Sequence, residues 1–308
     1  MSRRWRRIGR IAFAVFLVAV AVLLVRQARS VDWGQVRASL AGYDAATLAA
    51  AAALALASYG LYACYDLAAR RYAGHGVGTG RVVAIALASY AFNLNLGALI
   101  GGAGFRYRLY LQAGVGAADV GRVLGFSVTT NWLGYALVAG VLFSARAVPL
   151  PRGWELGMDG LQALGVALLL ACAAYLGACV RWHGRAWRVR GHEVRLPRPG
   201  LAVLQFALAG GNWLLIAAIH WLLLRGAADY PAVVGVTLLA AVAAAITHIP
   251  AGVGALETVF LALLGGDIGK PALLGALLVY RALYYLGPLL LAVAGYLALE
   301  AAGRRARG

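Results

Sequence analysis

Between residues 247 and 266 the chain reads Thr-His-Ile-Pro-Ala-Gly-Val-Gly-Ala-Leu-Glu-Thr-Val-Phe-Leu-Ala-Leu-Leu-Gly-Gly, with long apolar runs on both sides. Proline removes a helical hydrogen bond and glycine admits left-handed backbone, so a helix breaks here. In water this would be an ordinary loop. Hydrocarbon tolerates broken helix only where the break is buried in protein or lines a wet cavity. The segment, with His248, Pro250, Gly252, Gly254 and Glu257, is therefore read as the floor of a binding site.

The flanking runs set the fold class. Hydrophobic residues make up 63% of the 308 and charged residues 13%, against roughly 45–50% apolar in a soluble domain. Several runs approach the roughly 20 residues that cross a bilayer, and strand alternation is absent. The expected fold is an all-α polytopic membrane protein, with residues 1–308 forming one integral membrane domain. The net charge of +17 sits mainly in arginines between apolar runs, a pattern of topology signals and headgroup contacts rather than nucleic-acid binding. Cys64, Cys172 and Cys179 fall inside apolar runs without metal-ligand spacing and read as packing residues. No metal or cofactor is expected.

A retained first span is predicted over 11–25, because Arg26-Gln27-Ala28-Arg29 lacks a small-residue cleavage pattern. Further apolar runs cover 45–66, capped by Asp44, then 82–100, 123–145, 161–180, 202–224, 232–249 and 271–299, the last kinked at Pro288. Lys and Arg number 20 in the N-terminus, 70–81, 101–122, 181–200 and the C-terminus, against 7 in the remaining connections. That asymmetry places the first group, both termini included, in the cytoplasm.

The count holds only if two runs turn back. The run at 82–100 must reverse at Gly101-Gly102-Ala103-Gly104, and the run at 232–249 at Pro250. About six full crossings remain, with two re-entrant broken hairpins near 90–108 and 247–266 that enter from opposite faces. Paired breaks of this kind are the pattern of an inverted-repeat transporter with a site near the midplane. Residue-level likeness between the halves amounts to a Gly-rich turn.

Polar side chains at bilayer depth are the candidates for chemistry. Asn93 and Asn95 need partners there, and Arg106 and Arg108 adjoin a glycine turn whose amides favour anions, so together they suit a phosphate. The alternative makes the arginines topology signals and the asparagines helix glue. Glu257 is expensive in an apolar segment unless paired. Its best partner in sequence is Arg281, on one helical face with Tyr284 and Tyr285; the pair either meets a headgroup or only locks the hairpin. Asp66 reads as a helix-surface partner of Arg70, four residues on. Asn131 and Asn212 read mainly as knitting helices, with Asn131 kept among the candidates for substrate, and His220 beside Trp221 reads as interfacial. No phosphate-cradling loop, metalloprotease helix or nucleophile elbow is present. Chemistry beyond binding and conformational change is not expected.

The motifs Asn93-Leu94-Asn95-Leu96-Gly97 through Gly104-Phe105-Arg106-Tyr107-Arg108, and His248-Ile249-Pro250-Ala251-Gly252-Val253-Gly254 with Glu257, give most of the chain a family likeness. It resembles the transmembrane region of lysylphosphatidylglycerol synthases, also known as multiple peptide resistance factors. In the two-part members that region is associated with moving aminoacylated phospholipid between leaflets, and a soluble domain makes the lipid. The chain stops at Arg304-Arg305-Ala306-Arg307-Gly308 without such a domain, so the resemblance implies a flippase-like region alone and no synthase. The family commonly has Gly-Gly after the proline where this chain has Ala251-Gly252, which bears on turn geometry only. The combined expectation is a bacterial inner-membrane lipid transporter binding an anionic or aminoacylated phospholipid, or a lipid-linked headgroup. The rival is a non-transporting scaffold or accessory subunit of an envelope lipid enzyme. Homodimerisation and an envelope-enzyme partner both stay open.

Overall fold

The computed structural model describes residues 33–148, 157–189, 192–247 and 252–294. The predicted span at 11–25, His248, Pro250 and the C-terminal arginines lie outside the described residues. In chain order the elements are α1 (Trp33–Ala41), α2 (Ala45–Ala73), α3 (Thr79–Leu96), a π-helical segment (Ala98–Gly104) and α4 (Phe105–Gln112). Next come α5 (Ala117–Ser144), α6 (Gly157–Trp182), β1 (Ala186–Val189), β2 (His192–Arg195) and α7 (Pro199–Leu223). Last are α8 (Tyr230–Thr247), α9 (Ala255–Ile268) and α10 (Lys270–Tyr280), with a second π-helical segment at Arg281–Leu286.

Among the described residues, six helices are long and apolar enough to cross a membrane: α2, α5, α6, α7, α8 and the continuous helix Lys270–Ala294 that begins as α10. The fold is an all-α polytopic one. Five of the six match predicted full crossings; the sixth, α8, is an arm of the second hairpin. One element was not anticipated. In the basic 181–200 connection, β1 and β2 pair as a small antiparallel ribbon in which Ala186 faces Arg195. Four-residue strands carry too little periodicity to read from sequence.

The first hairpin is α3 with α4. Arg81, near the start of α3, donates to the Gln112 carbonyl at the end of α4, 3.2 Å away, so the chain leaves by the face it entered. Gly97 starts the reversal at φ 85°, and the π-helical segment then lies directly on α3. A Cβ at Gly101 would stand 2.1 Å from the Phe92 carbonyl oxygen, and one at Gly102 would stand 2.5 Å from Asn93 Oδ1. Only glycine allows the approach. The 18 residues of α3, at about 1.5 Å each, reach roughly 27 Å, nearly the hydrocarbon thickness.

The second hairpin, α8 with α9, opens the other way. Arg70 donates to Thr79 Oγ1 at 2.9 Å, and Tyr72 Oη donates to the Arg195 carbonyl at 2.5 Å, gathering the basic connections at one face. At the opposite face Tyr43 Oη donates to the Leu223 carbonyl at 2.6 Å, just before α8 begins. A full-length α2 separates the two faces, so the hairpins enter from opposite sides.

The remaining helices form a frame welded by close backbone contact. A Cβ on Gly134 of α5 would lie 2.3 Å from Ala209 of α7, and one on Gly165 of α6 would lie 2.4 Å from the Ser144 amide. Gly134→Ala is expected to lower stability by about 1–3 kcal/mol, because the helices must part to admit the methyl. Thermal unfolding in detergent measures this, and an unchanged midpoint would refute the weld.

Topology has a direct check. In a background with Cys64, Cys172 and Cys179 replaced by Ala, cysteines at Gly76, Gly116 and Gly184 are expected to react from one side of the membrane, and one at Ala227 from the other. Labelling of positions 76 and 116 from different sides would remove the first hairpin.

Candidate functional site

The site is built around the π-helical turn of the last helix. Pro288 has no N–H, so the Tyr284 carbonyl, four residues earlier, loses its ordinary helical donor. Tyr59 Oη of α2 supplies one instead, at 3.1 Å. One residue on, the Tyr285 carbonyl accepts from Asn95 Nδ2 of the first hairpin at 3.2 Å. π-Helical turns commonly leave carbonyls for outside partners and recur at functional sites. Here the partners come from two other elements.

The side chains of the same turn reach further. Tyr284 Oη lies 2.8 Å from Tyr90 Oη of α3 and 2.6 Å from Ser58 Oγ of α2. Ser58 donates to Asn212 Oδ1 of α7 at 2.6 Å. Rings reinforce these bonds: Tyr62 and Tyr90 stack at 3.7 Å between centroids, and Tyr280 and Tyr284 stack at 5.2 Å. Tyr284 is thus the buried junction of α2, α3 and the last helix, tied through Ser58 to α7.

One turn away the chemistry becomes ionic. Arg281 Nε donates to Glu257 Oε1 at 2.7 Å, and Nη2 donates to Oε2 at 3.1 Å and to the Gly252 carbonyl at 3.1 Å. Glu257 Oε2 also accepts from the Gly254 amide at 2.9 Å. The carboxylate therefore caps the start of α9 while holding the guanidinium. Gly252 and Gly254 have φ of 57° and 86°, a left-handed region that suits glycine. Arg281 also lies 5.6 Å from the Tyr285 ring centroid. The pair is not sealed: Arg281 is 13% exposed and Glu257 22%.

A second ion pair is sealed. Arg106 Nη1 meets Asp66 Oδ1 at 3.3 Å, with side chains 3% and 0% exposed. Tyr110 and Ser127 donate to the same carboxylate at 2.9 and 2.8 Å, and Arg106 donates to Tyr62 Oη at 2.8 Å. This corrects the reading of Asp66 as a surface partner of Arg70, since Arg70 bonds Thr79 instead. The sequence offered Arg70 at helical spacing; the true partner arrives by tertiary folding.

A family model described as "Lysylphosphatidylglycerol synthase TM region" matches residues 10–292. The chain belongs to this family. It is 42% identical over 305 residues to "Inner membrane protein YbhN" of Escherichia coli (strain K12), covering 99% of this chain and 96% of that one. It is also 30% identical over 295 residues to "Uncharacterized protein slr0712" of Synechocystis sp., covering 92% and 90%. An inner-membrane relative and six apolar helices support a multi-pass inner-membrane protein.

Within this family member the predicted site residues separate into groups. Gly252, Gly254, Glu257, Arg281 and Tyr284 gather at the last helix, and Asn95 reaches them from the first hairpin. Asn93 supports the hairpin turn, its carbonyl accepting from the Gly97 amide at 2.9 Å. Arg106 is buried against Asp66, and Arg108 is half-buried on the same helix. Asn131 takes part through its backbone carbonyl, which accepts from Trp213 Nε1 at 3.2 Å. His220 is not interfacial. It is 2% exposed, with its ring 3.9 Å from that of Tyr280 and Nδ1 3.2 Å from Thr237 Oγ1. The sequence reading missed Ser58, Tyr59, Tyr62 and Tyr90. A signal existed in the three-residue spacing of Tyr59, Tyr62 and Tyr65, which puts phenols along one face of a span. No group of His, Cys, Asp and Glu suited to a metal occurs among the described residues.

Proposed function

We propose that this protein is a lipid transporter of the flippase kind, one integral membrane domain without catalytic chemistry, that holds an anionic headgroup between its two hairpins while acyl chains stay in the bilayer. The observation that carries this reading is the partly exposed Glu257–Arg281 pair at the tip of one hairpin. It stands on a π-helical turn that also bonds the other hairpin through Asn95. A phosphate competing with Glu257 for Arg281 changes the hold on the second hairpin. Asn95 Oδ1 is buried and without a hydrogen-bond partner, which favours a headgroup that donates a hydroxyl or amine. Arg108 and Asn93 remain candidates for the headgroup. Arg106 is assigned to fixing the first hairpin, since Asp66 already neutralises it.

The face carrying Arg70, Arg71, Arg122, Arg181, Arg185 and Arg198 is assigned to the cytoplasm on the positive-inside rule, and both termini with it. The experiment is redistribution of labelled phosphatidylglycerol, aminoacylated phosphatidylglycerol and phosphatidylethanolamine across liposomes holding purified protein. Faster movement of an anionic or aminoacylated lipid is expected. No acceleration for any lipid class would end the transport reading, and co-purification with a fixed enzyme partner would then favour a scaffold.

A further inference from the structure

A cavity lies beside the first hairpin, with Tyr107 of α4 and Tyr72 of α2 on its wall. Near the face opposite to the basic connections, α6 packs tightly on α5 through Gly140 and Gly165. Toward the basic face the lining of α5, α6 and α7 opens into a cleft of about 950 Å³, at the upper end of the roughly 300–1,000 Å³ of ligand pockets. Its wall on α5 includes Gly121 and Gly125, and Tyr107, Tyr175, Arg122 and Arg195 also line it. Tyr175 and Gln205 on the floor are held by hydrogen bonds, the second of which runs to Thr130 behind the lining. Tyr175 Oη donates to Gln205 Oε1 at 2.7 Å, and Gln205 Nε2 donates to Thr130 Oγ1 at 2.7 Å.

Depth and charge together select a ligand. Arg122 lies early in α5 and Arg195 just before α7, both at the basic face. Gly125 lies about 12 Å along α5 from its start, at about 1.5 Å per residue, within the half-thickness of a bilayer core of roughly 30 Å. Leu170 and Val180, also on α6, are 65% and 62% exposed, as expected of a helix facing hydrocarbon. Arg122 shares an exposed ion pair with Asp119 at 3.0 Å, a weak contact that an anion displaces easily. Cations at headgroup level above a glycine-lined, mostly apolar wall match a phosphate with its acyl chain.

We propose that this cleft docks an anionic phospholipid from the leaflet on the basic face, with its phosphate between Arg122 and Arg195 and one acyl chain along Gly121 and Gly125. The proposal is independent of whether the hairpins transport lipid.

Native mass spectrometry of protein equilibrated with mixed phosphatidylglycerol and phosphatidylethanolamine tests it. Wild type is expected to retain phosphatidylglycerol preferentially. Arg122→Gln with Arg195→Gln is expected to lower that retention about twenty-five-fold, since each basic residue at an anionic surface contributes roughly fivefold. Gly125→Trp is expected to expel the lipid with the fold intact, because a Cβ there meets nothing within 4 Å; its melting temperature confirms folding. Glu257→Gln with Arg281→Gln is expected to keep the cleft lipid, which separates this site from the one between the hairpins. Equal retention of both lipids by wild type, retention in folded Gly125→Trp that also carries the Glu257 and Arg281 changes, or loss in the Glu257 and Arg281 variant alone overturns the proposal.

Discussion

Arg281→Gln is expected to reduce lipid redistribution to that of protein-free liposomes and to lower stability by about 3–5 kcal/mol. The loss in stability arises because Glu257 stays behind, partly buried, with one backbone amide as its remaining donor. Removing one partner of a buried pair is far more damaging than removing both. Glu257→Gln is expected to behave similarly, although glutamine at this position still caps α9. The informative variant carries both changes. It is expected to regain most of the lost stability, since no charge is stranded, while transport stays absent because no cation meets the headgroup. Thermal unfolding and the liposome assay, run on the same preparations, read the two properties separately. A double variant that moves lipid like wild type would reduce the pair to a structural lock.

Asp66 and Arg106 call for a different outcome. Arg106→Gln strands a fully buried carboxylate with Tyr110 and Ser127 as its remaining donors, and a loss of about 3–5 kcal/mol is expected. The first hairpin is the part released, because Arg106 and Tyr110 both belong to α4 and hold it to α2. Arg106→Lys is expected to recover only part of the loss. One guanidinium nitrogen faces Asp66 while another donates to Tyr62, and an ammonium cannot reproduce that planar fork. Faster cysteine labelling at position 116 in Arg106→Gln, beside an unchanged rate at position 227, locates the damage. Equal effects at both positions would show that the pair stabilises the whole frame instead.

The two hairpins were legible because backbone chemistry announces itself locally. Proline and glycine at 97–104 and 250–254 interrupt apolar runs, and the asymmetric distribution of arginine requires the first run to turn back. Glu257 and Arg281 were legible for a related reason: an apolar setting leaves an isolated carboxylate few acceptable partners. The Asp66–Arg106 pair was not legible, because its members are far apart in sequence and Arg70 stood at helical spacing. The tyrosine junction was hidden by the ordinary interfacial role of phenols in membrane chains; only packing reveals that Tyr59, Tyr90 and Tyr284 meet. His220 was misplaced because Trp221 beside it suggested an interface, whereas the helix turns the two side chains to different surroundings.

The last helix touches both inserted hairpins within a single turn, Arg281 gripping the tip of one and the Tyr285 carbonyl holding the other. Twisting that rod by a fraction of a turn moves both grips at once, while the glycine seams of the frame stay shut. The two hairpins thus share a common latch, so unfastening one alters the fastening of its counterpart without any message crossing the surrounding scaffold.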